Sequence, residues 1–173
     1  MPLPRDAEKA DPMTTPHIDL TPIITEAGGR GLKGEDFDRA AAFLNDWHGA
    51  GANEHGSFIE ADTVLLATIG RCKARVRIVR TGRGHWLAGH DFEAQGFAGS
   101  AGGPSIWDSR AFATRDDATR YIADKAADWF GGIARDKSSC VSDQLRRDAE
   151  RMVAALELVV SPKPAPAMQL SLF

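Results

Sequence analysis

Between Arg71 and Val79 charge and bulk alternate residue by residue, a pattern that one kind of backbone accommodates well. Arg71, Lys73, Arg75 and Arg77 take the odd positions, and Cys72, Ala74, Val76 and Ile78 the even ones. A helix would scatter these cations around its circumference, whereas the period of two in a strand lines them along one face. The spacing therefore predicts a strand over 71–79 with a small apolar face and a wholly cationic one. Thr81-Gly82-Arg83-Gly84 supplies a hairpin turn. The return strand is expected from His85 to Phe92, with Trp86, Ala88, His90 and Phe92 on one side.

Other elements follow from local pattern. Phe37, Ala40, Ala41, Leu44 and Trp47 recur at helical spacing and predict a helix over Glu35–His48. Glu35 and Asp36 suit its N-terminal dipole, and Gly49-Ala50-Gly51 ends it. The β-branched run Thr63–Ile69 favours a strand over a buried helical turn. Gly96–Pro104 reads as a flexible glycine loop, followed by a third strand over Ser105–Asp108 carrying Ile106 and Trp107. Thr114 is placed to cap a helix whose stripe holds Ala118, Ile122, Lys125, Ala126 and Trp129 and which Gly131-Gly132 stops. A last helix is expected to begin at Ser138 or Ser139, to bury Val141, Leu145, Ala149, Met152, Val153, Leu156 and Val160, and to close at Pro162. Ile18, Leu20, Ile23 and Ile24 form an apolar patch ahead of Gly28–Gly31 that fits either a strand or an arm.

The order of these elements implies an α+β fold: a small antiparallel sheet of about three to four strands with helices packed on one face. Residues 18–160 would form this single domain. Residues 1–17 are polar and proline-punctuated, which predicts disorder, and Met13 offers an alternative start with 1–12 as a leader. Residues 161–168, Ser-Pro-Lys-Pro-Ala-Pro-Ala-Met, read as a semi-rigid tether, because alternating prolines hold the backbone near polyproline II. No apolar run reaches membrane-spanning length. Cys72 and Cys140 lie in no metal-binding spacing, which points to reduced thiols in a cytoplasmic protein. No cofactor is expected.

The tether leads into Gln169-Leu170-Ser171-Leu172-Phe173. A polar, solvated run ending in three large apolar groups suits a groove on another protein, the competing readings being a frayed tail or a strand that folds back and caps the domain's own core. The pentapeptide resembles, letter for letter, the segment by which bacterial polymerases, mismatch-repair proteins and clamp loaders dock on the β sliding clamp. The resemblance implies that Gln169 anchors in a polar subsite, that Leu172 and Phe173 plug an apolar pocket, and that Leu170 and Ser171 set the turn. It makes the sliding clamp the expected partner and places the chain in DNA replication, repair or modification. The segment from about Arg75 to Phe130, a Trp/Gly-rich hairpin, a glycine loop and a threonine-capped helix, also resembles in outline a module of phage and plasmid DNA-modification proteins.

A clamp-bound protein would be expected to meet DNA. The formal charge is −3, yet residues 71–84 hold Arg71, Lys73, Arg75, Arg77, Arg80 and Arg83 without an acid, leaving −9 for the rest. Any attraction for phosphate is therefore local, and these six are the candidate DNA contacts. The competing reading of the same row is an ordinary solvated sheet face. His48, His55, His85 and His90 match no metal-ligand spacing, and surface or capping roles are expected for them. The glycine loop lacks the lysine and Ser/Thr of a phosphate-binding P-loop, and no nucleophile motif occurs. If the domain were an enzyme, His85, His90 and Asp91 would be the residues to build its site. Occupation of the clamp as a replication inhibitor or toxin is the other alternative.

Overall fold

A computed structural model describes residues 15–161. In chain order the elements are β1 (Ile18–Asp19), α1 (Thr21–Glu26), α2 (Glu35–His48), β2 (Asp62–Ile69), β3 (Cys72–Arg80), β4 (Trp86–Ala94), β5 (Ala98–Gly102), β6 (Arg110–Ala111), α3 (Arg115–Arg135) and α4 (Asp143–Val160). β2, β3, β4 and β5 form an antiparallel meander in that order, and β1 pairs with β6 in a separate two-stranded ribbon. The fold is α+β, as the order of patterns predicts.

The sheet grows out of two tight hairpins. Ile69 pairs with Cys72 across Gly70-Arg71, a two-residue turn whose first position needs a positive φ, and Gly70 has φ +53°. A Cβ on Gly70 would also lie 2.2 Å from the Asp148 carboxylate. That carboxylate, buried on α4, accepts the Arg71 N–H at 3.2 Å and a Gln144 side-chain N–H at 2.9 Å. The second hairpin closes over Thr81–His85, where the Thr81 N–H donates to the His85 carbonyl at 2.9 Å. Its turn meets the end of α2 backbone to backbone: a Cβ on Gly49 would fall 2.7 Å from the Gly82 Cα.

Cys72, Ala74, Val76 and Ile78 are all buried, alternating with half-buried Lys73, Arg75 and Arg77 as the period of two requires. The apolar face, joined by Phe92 and Ala94 of β4, packs against Ile122, Ala126 and Phe130 of α3 and Leu145, Ala149, Met152 and Leu156 of α4. The opposite face is partly covered as well. Near the second hairpin, Val79 and Leu87 enter a second apolar cluster with Leu20, Ile24, Leu44, Phe58 and Ile106, which seats α1 and α2 there. The rest of that face, toward the Gly70 turn, carries the cations.

Four expectations are corrected. The supposed glycine loop contains β5: Gly99, Ser100 and Ala101 pair with β4 from Glu93 to Asp91. Small residues give little periodic signal, but their backbone groups still satisfy the β4 edge. Ser105–Asp108 is instead a turn, in which the Ser105 N–H donates to Asp108 at 2.8 Å, after the chain has left the sheet over Gly89, where a Cβ would lie 2.2 Å from the Gly102 carbonyl oxygen. Gly131-Gly132 does not stop α3, which continues to Arg135. Each glycine costs roughly 1 kcal/mol in a helix, and burial of the flanking Phe130 and Ile133 outweighs that. Finally, α4 starts at Asp143 with Ser142 as its cap, its hydroxyl accepting the Leu145 N–H at 3.2 Å. Ser138 and Ser139 precede it in the connection, which Arg146 ties by donating to the carbonyls of Asp136 and Ser138 at 2.6 and 2.8 Å.

Candidate nucleic-acid interface

Lys73, Arg75 and Arg77 share the face opposite α3 and α4, and Arg71 stands exposed in the turn at its end. The register that aligns them also supplies acids. Arg75 pairs across the ladder with Asp91, nitrogen to carboxylate oxygen 2.5 Å, and Glu93 stands opposite Lys73. Arg77 faces Gly89 and lies beside Gly103. The face is thus cationic along β3 but partly neutralised by β4. The other two cations go elsewhere. Arg80 pairs with Trp86, which turns it to the α3 side of the sheet. Arg83 lies over the Trp47 ring at 4.4 Å and donates its Nε to the Trp47 carbonyl, fastening the hairpin turn to the end of α2. Among the described residues, Arg71, Lys73 and Arg77 have no ion-pair partner.

The histidines separate into unrelated environments. His48 and His85 are buried rather than exposed, with His48 Nδ1 3.4 Å from His85 Nε2 and Trp47 and Phe58 packed around the pair. Burial, then the neighbouring His85, pushes His48 down to about 4, against a counter-pull from the Ile106 carbonyl. His48 Nε2 has no hydrogen-bond partner among the described residues. Burial and Arg83 lower His85 as well. His90 faces α3 and shares a 2.9 Å hydrogen bond with the Ser100 hydroxyl. Asp91 points to the opposite face. His85, His90 and Asp91 are therefore not brought together, and no cluster of three or more metal-ligating side chains occurs among the described residues.

A polar cleft that strand and helix patterns do not reveal lies where β5 has ended and the chain has not yet rejoined β4. Phe112 restores pairing at Trp86, with N–H···O distances of 2.8 and 2.9 Å in the two directions. Between these points Ala88 is left at the bottom of a recess lined by Asp108, Arg110, Tyr121 and Lys125. Arg30 and Asp108 are shared with an adjoining recess of about 430 Å³ whose wall is Phe37 stacked on Trp107, ring centroids 5.5 Å apart. Burial pushes the Asp108 carboxyl up to about 6, against the pull of the Ser105 N–H, Arg30 and Lys125. Arg30, Arg110 and Lys125 come from three separate segments, and only tertiary structure joins them.

The pentapeptide Gln169–Phe173, the tether from Pro162 onward and residues 1–14 lie outside the described residues; residues 15–17 carry no regular secondary structure. No helix among the described residues is long and apolar enough to cross a membrane. The two cysteines are free, Cys72 buried and Cys140 exposed. In comparisons with protein-family models, curated proteins and solved structures, nothing matches the chain.

Proposed function

We propose that this chain is a cytoplasmic accessory protein of the bacterial β sliding clamp, of phage or plasmid type, acting in DNA replication, repair or modification. One observation carries the reading: the sequence Gln169-Leu170-Ser171-Leu172-Phe173 following a proline-alternating run. Burying the Leu172 and Phe173 side chains would contribute roughly 1.5–3 kcal/mol each. Ordering the tail and losing rigid-body freedom offset much of that, so the tail alone should bind on the order of micromolar. The domain contributes a second, weaker contact. Arg71, Lys73 and Arg77 offer phosphate ligands on the open end of the sheet, Arg75 shares its charge with Asp91, and Arg80 and Arg83 are directed elsewhere.

The test is binding of purified β clamp to the full-length protein, to a version ending at Ala167, and to a Leu172→Ala plus Phe173→Ala variant. Micromolar binding by the first alone is the expected result. Equal binding by all three, or by none, refutes clamp docking. Use of the clamp as a platform is separated from its occupation as an inhibitor by overexpression, since an inhibitor arrests replication in a manner that the double alanine variant abolishes.

A further inference from the structure

Arg30, Arg110 and Lys125 converge on the cleft beside Ala88 although they belong to the α1–α2 connection, to β6 and to α3. None of the three has an ion-pair partner within 4.0 Å among the described residues. Asp108 is the acid that lines the recess with them, so the named charges sum to a cationic site. Their orientations are held by neutral groups. Arg30 donates to the Trp107 carbonyl at 2.6 Å, and Arg110 to the Tyr121 hydroxyl at 3.0 Å. Lys125 Nζ lies 5.5 Å from the Tyr121 ring centroid. Asp108 draws on Arg30 and Lys125, and Asp19 stands opposite Arg110 in the β1–β6 ribbon, so the three cations are partly offset by two acids and keep the net positive charge that an anion site needs.

The adjoining recess has the opposite character. Phe37 and Trp107 are both half-buried, stacked on one another, and form a wall with Leu32. Its volume, about 430 Å³, falls in the range of small-molecule sites, roughly 300–1,000 Å³. An aromatic wall contiguous with a cluster of unpaired cations fits a ligand with a planar ring at one end and an anionic group at the other. Bases stack on such walls with little regard to sequence, and phosphates take Arg and Lys donors.

We infer that this cleft is a nucleotide-binding site, holding a base against Phe37 and Trp107 and its phosphate among Arg30, Arg110 and Lys125. The site is distinct from the open sheet face and does not depend on clamp docking. A free mononucleotide and the end of a single DNA strand present the same chemistry, and the test separates them.

Full-length protein is titrated at low salt with dAMP, with a short oligothymidylate and with inorganic phosphate, following tryptophan fluorescence and calorimetric heat. Saturable binding of dAMP, or of the oligonucleotide alone, is expected; the first assigns a free nucleotide and the second a strand end. Lys125→Gln and Arg110→Gln, both at exposed positions, should each weaken that binding about tenfold. The Leu172→Ala plus Phe173→Ala variant should bind as the parent does, so a failed clamp contact and a failed cleft remain distinguishable. Trp107→Phe should weaken dAMP binding and lose most of the fluorescence change, because a smaller ring is left to stack on the base. Inorganic phosphate binding as tightly as dAMP overturns the inference, as does binding unchanged in Lys125→Gln and Arg110→Gln, or no binding of either nucleotide probe.

Discussion

Replacing His48 by leucine and, separately, Asp108 by asparagine should bend the protein's acid response in opposite directions. His48 is fully buried, and its folded value is depressed from 6.5 to about 4. An unfolded chain takes up the ring proton below about 6.5 while the folded chain refuses it. The stability associated with the neutral ring is therefore complete above 6.5 and is lost as pH falls toward 4. At roughly 1.4 kcal/mol per pH unit the loss approaches about 3 kcal/mol. Asp108 works the other way. Its value is raised from 3.8 to about 6, so between these limits the folded chain holds a proton that the unfolded chain has released. Its contribution is present below 3.8 and disappears as pH rises through 6. The same conversion gives about 3 kcal/mol as an upper bound. Water reaches part of Asp108, and screening brings the figure to about 1–2 kcal/mol.

The two effects oppose one another across the same window, so on their account wild-type stability should fall by only about 1–2 kcal/mol between pH 6.5 and 4. The variants expose them. Urea unfolding followed by circular dichroism at pH 7, 6, 5 and 4 measures each variant against the parent. In Asp108→Asn the amide oxygen can still accept the Ser105 N–H, which in the parent reaches Asp108 Oδ2 at 2.8 Å. This variant should thus exceed the parent by about 1–2 kcal/mol at pH 7 and converge on it by pH 4. His48→Leu loses packing against Trp47, Phe58 and His85 at every pH, but its deficit should shrink by about 3 kcal/mol between pH 7 and 4. Differences from the parent that stay constant with pH in both variants would refute the assignment of these two groups.

Gly70→Ala should cost several kcal/mol, because a Cβ meets the Asp148 carboxylate and the residue has φ +53°. Asp148→Ala should cost about 1–3 kcal/mol by orphaning the Arg71 N–H; chemical denaturation measures both, and near-neutral effects would deny that α4 caps the first hairpin. In native protein a thiol reagent should modify Cys140 quickly and Cys72 only on unfolding, since Cys72 is fully buried with its thiol pushed up to about 11 by burial and by Asp148. Two fast thiols in native buffer would contradict the placement of β3. Asp108→Asn should also tighten phosphate-bearing ligands in the cleft at pH 7 and do so less at pH 5, where the parent carboxyl is itself largely protonated.

Elements with one dominant period were legible, and those built from exceptions were not. The alternation at 71–79 located β3 because each even position is buried against α3 and α4, while Lys73, Arg75 and Arg77 stay on the other face. The stripe from Phe37 to Trp47, with acids ahead of it and glycines behind it, located α2. β5 escaped because alanine, glycine and serine have no bulk to alternate, although the β4 edge needs their backbone. Ile106 and Trp107 read as a strand because burial alone cannot distinguish a strand from a turn pressed into a core. Asp148 has no signal of its own on the apolar stripe of α4, since a charge there contradicts the pattern and its partner, the Arg71 N–H, is far away in sequence. His48 sits on the buried face of α2, where its proximity to Leu44 could have marked it, but its meeting with His85 is set by the hairpin turn. The cleft around Asp108 has no local signature, because its three cations come from segments far apart in sequence. The pentapeptide is the reverse case, a proposal that rests wholly on sequence and lies outside the described residues.

The split of the basic row changes what DNA contact can be expected of this domain. Six cations acting together would resemble a dedicated non-specific binder, with dissociation constants of roughly 10⁻⁴–10⁻⁶ M at physiological salt. Three unpaired ones, facing Asp91 and Glu93, should fall to about millimolar or weaker and escape an ordinary mobility-shift assay. Attachment to a clamp that encircles the duplex would supply an effective concentration that is itself on the order of millimolar. The same contact would then be roughly half occupied on loaded clamp and nearly silent in solution. Charge reversal at Arg71 and Arg77 should accordingly leave binding to free clamp unchanged and weaken retention on clamp-loaded circular DNA severalfold, with the difference shrinking as salt rises. Equal retention of both forms at low salt would confine the domain's role to chemistry elsewhere on its surface and leave the sheet face as solvated protein.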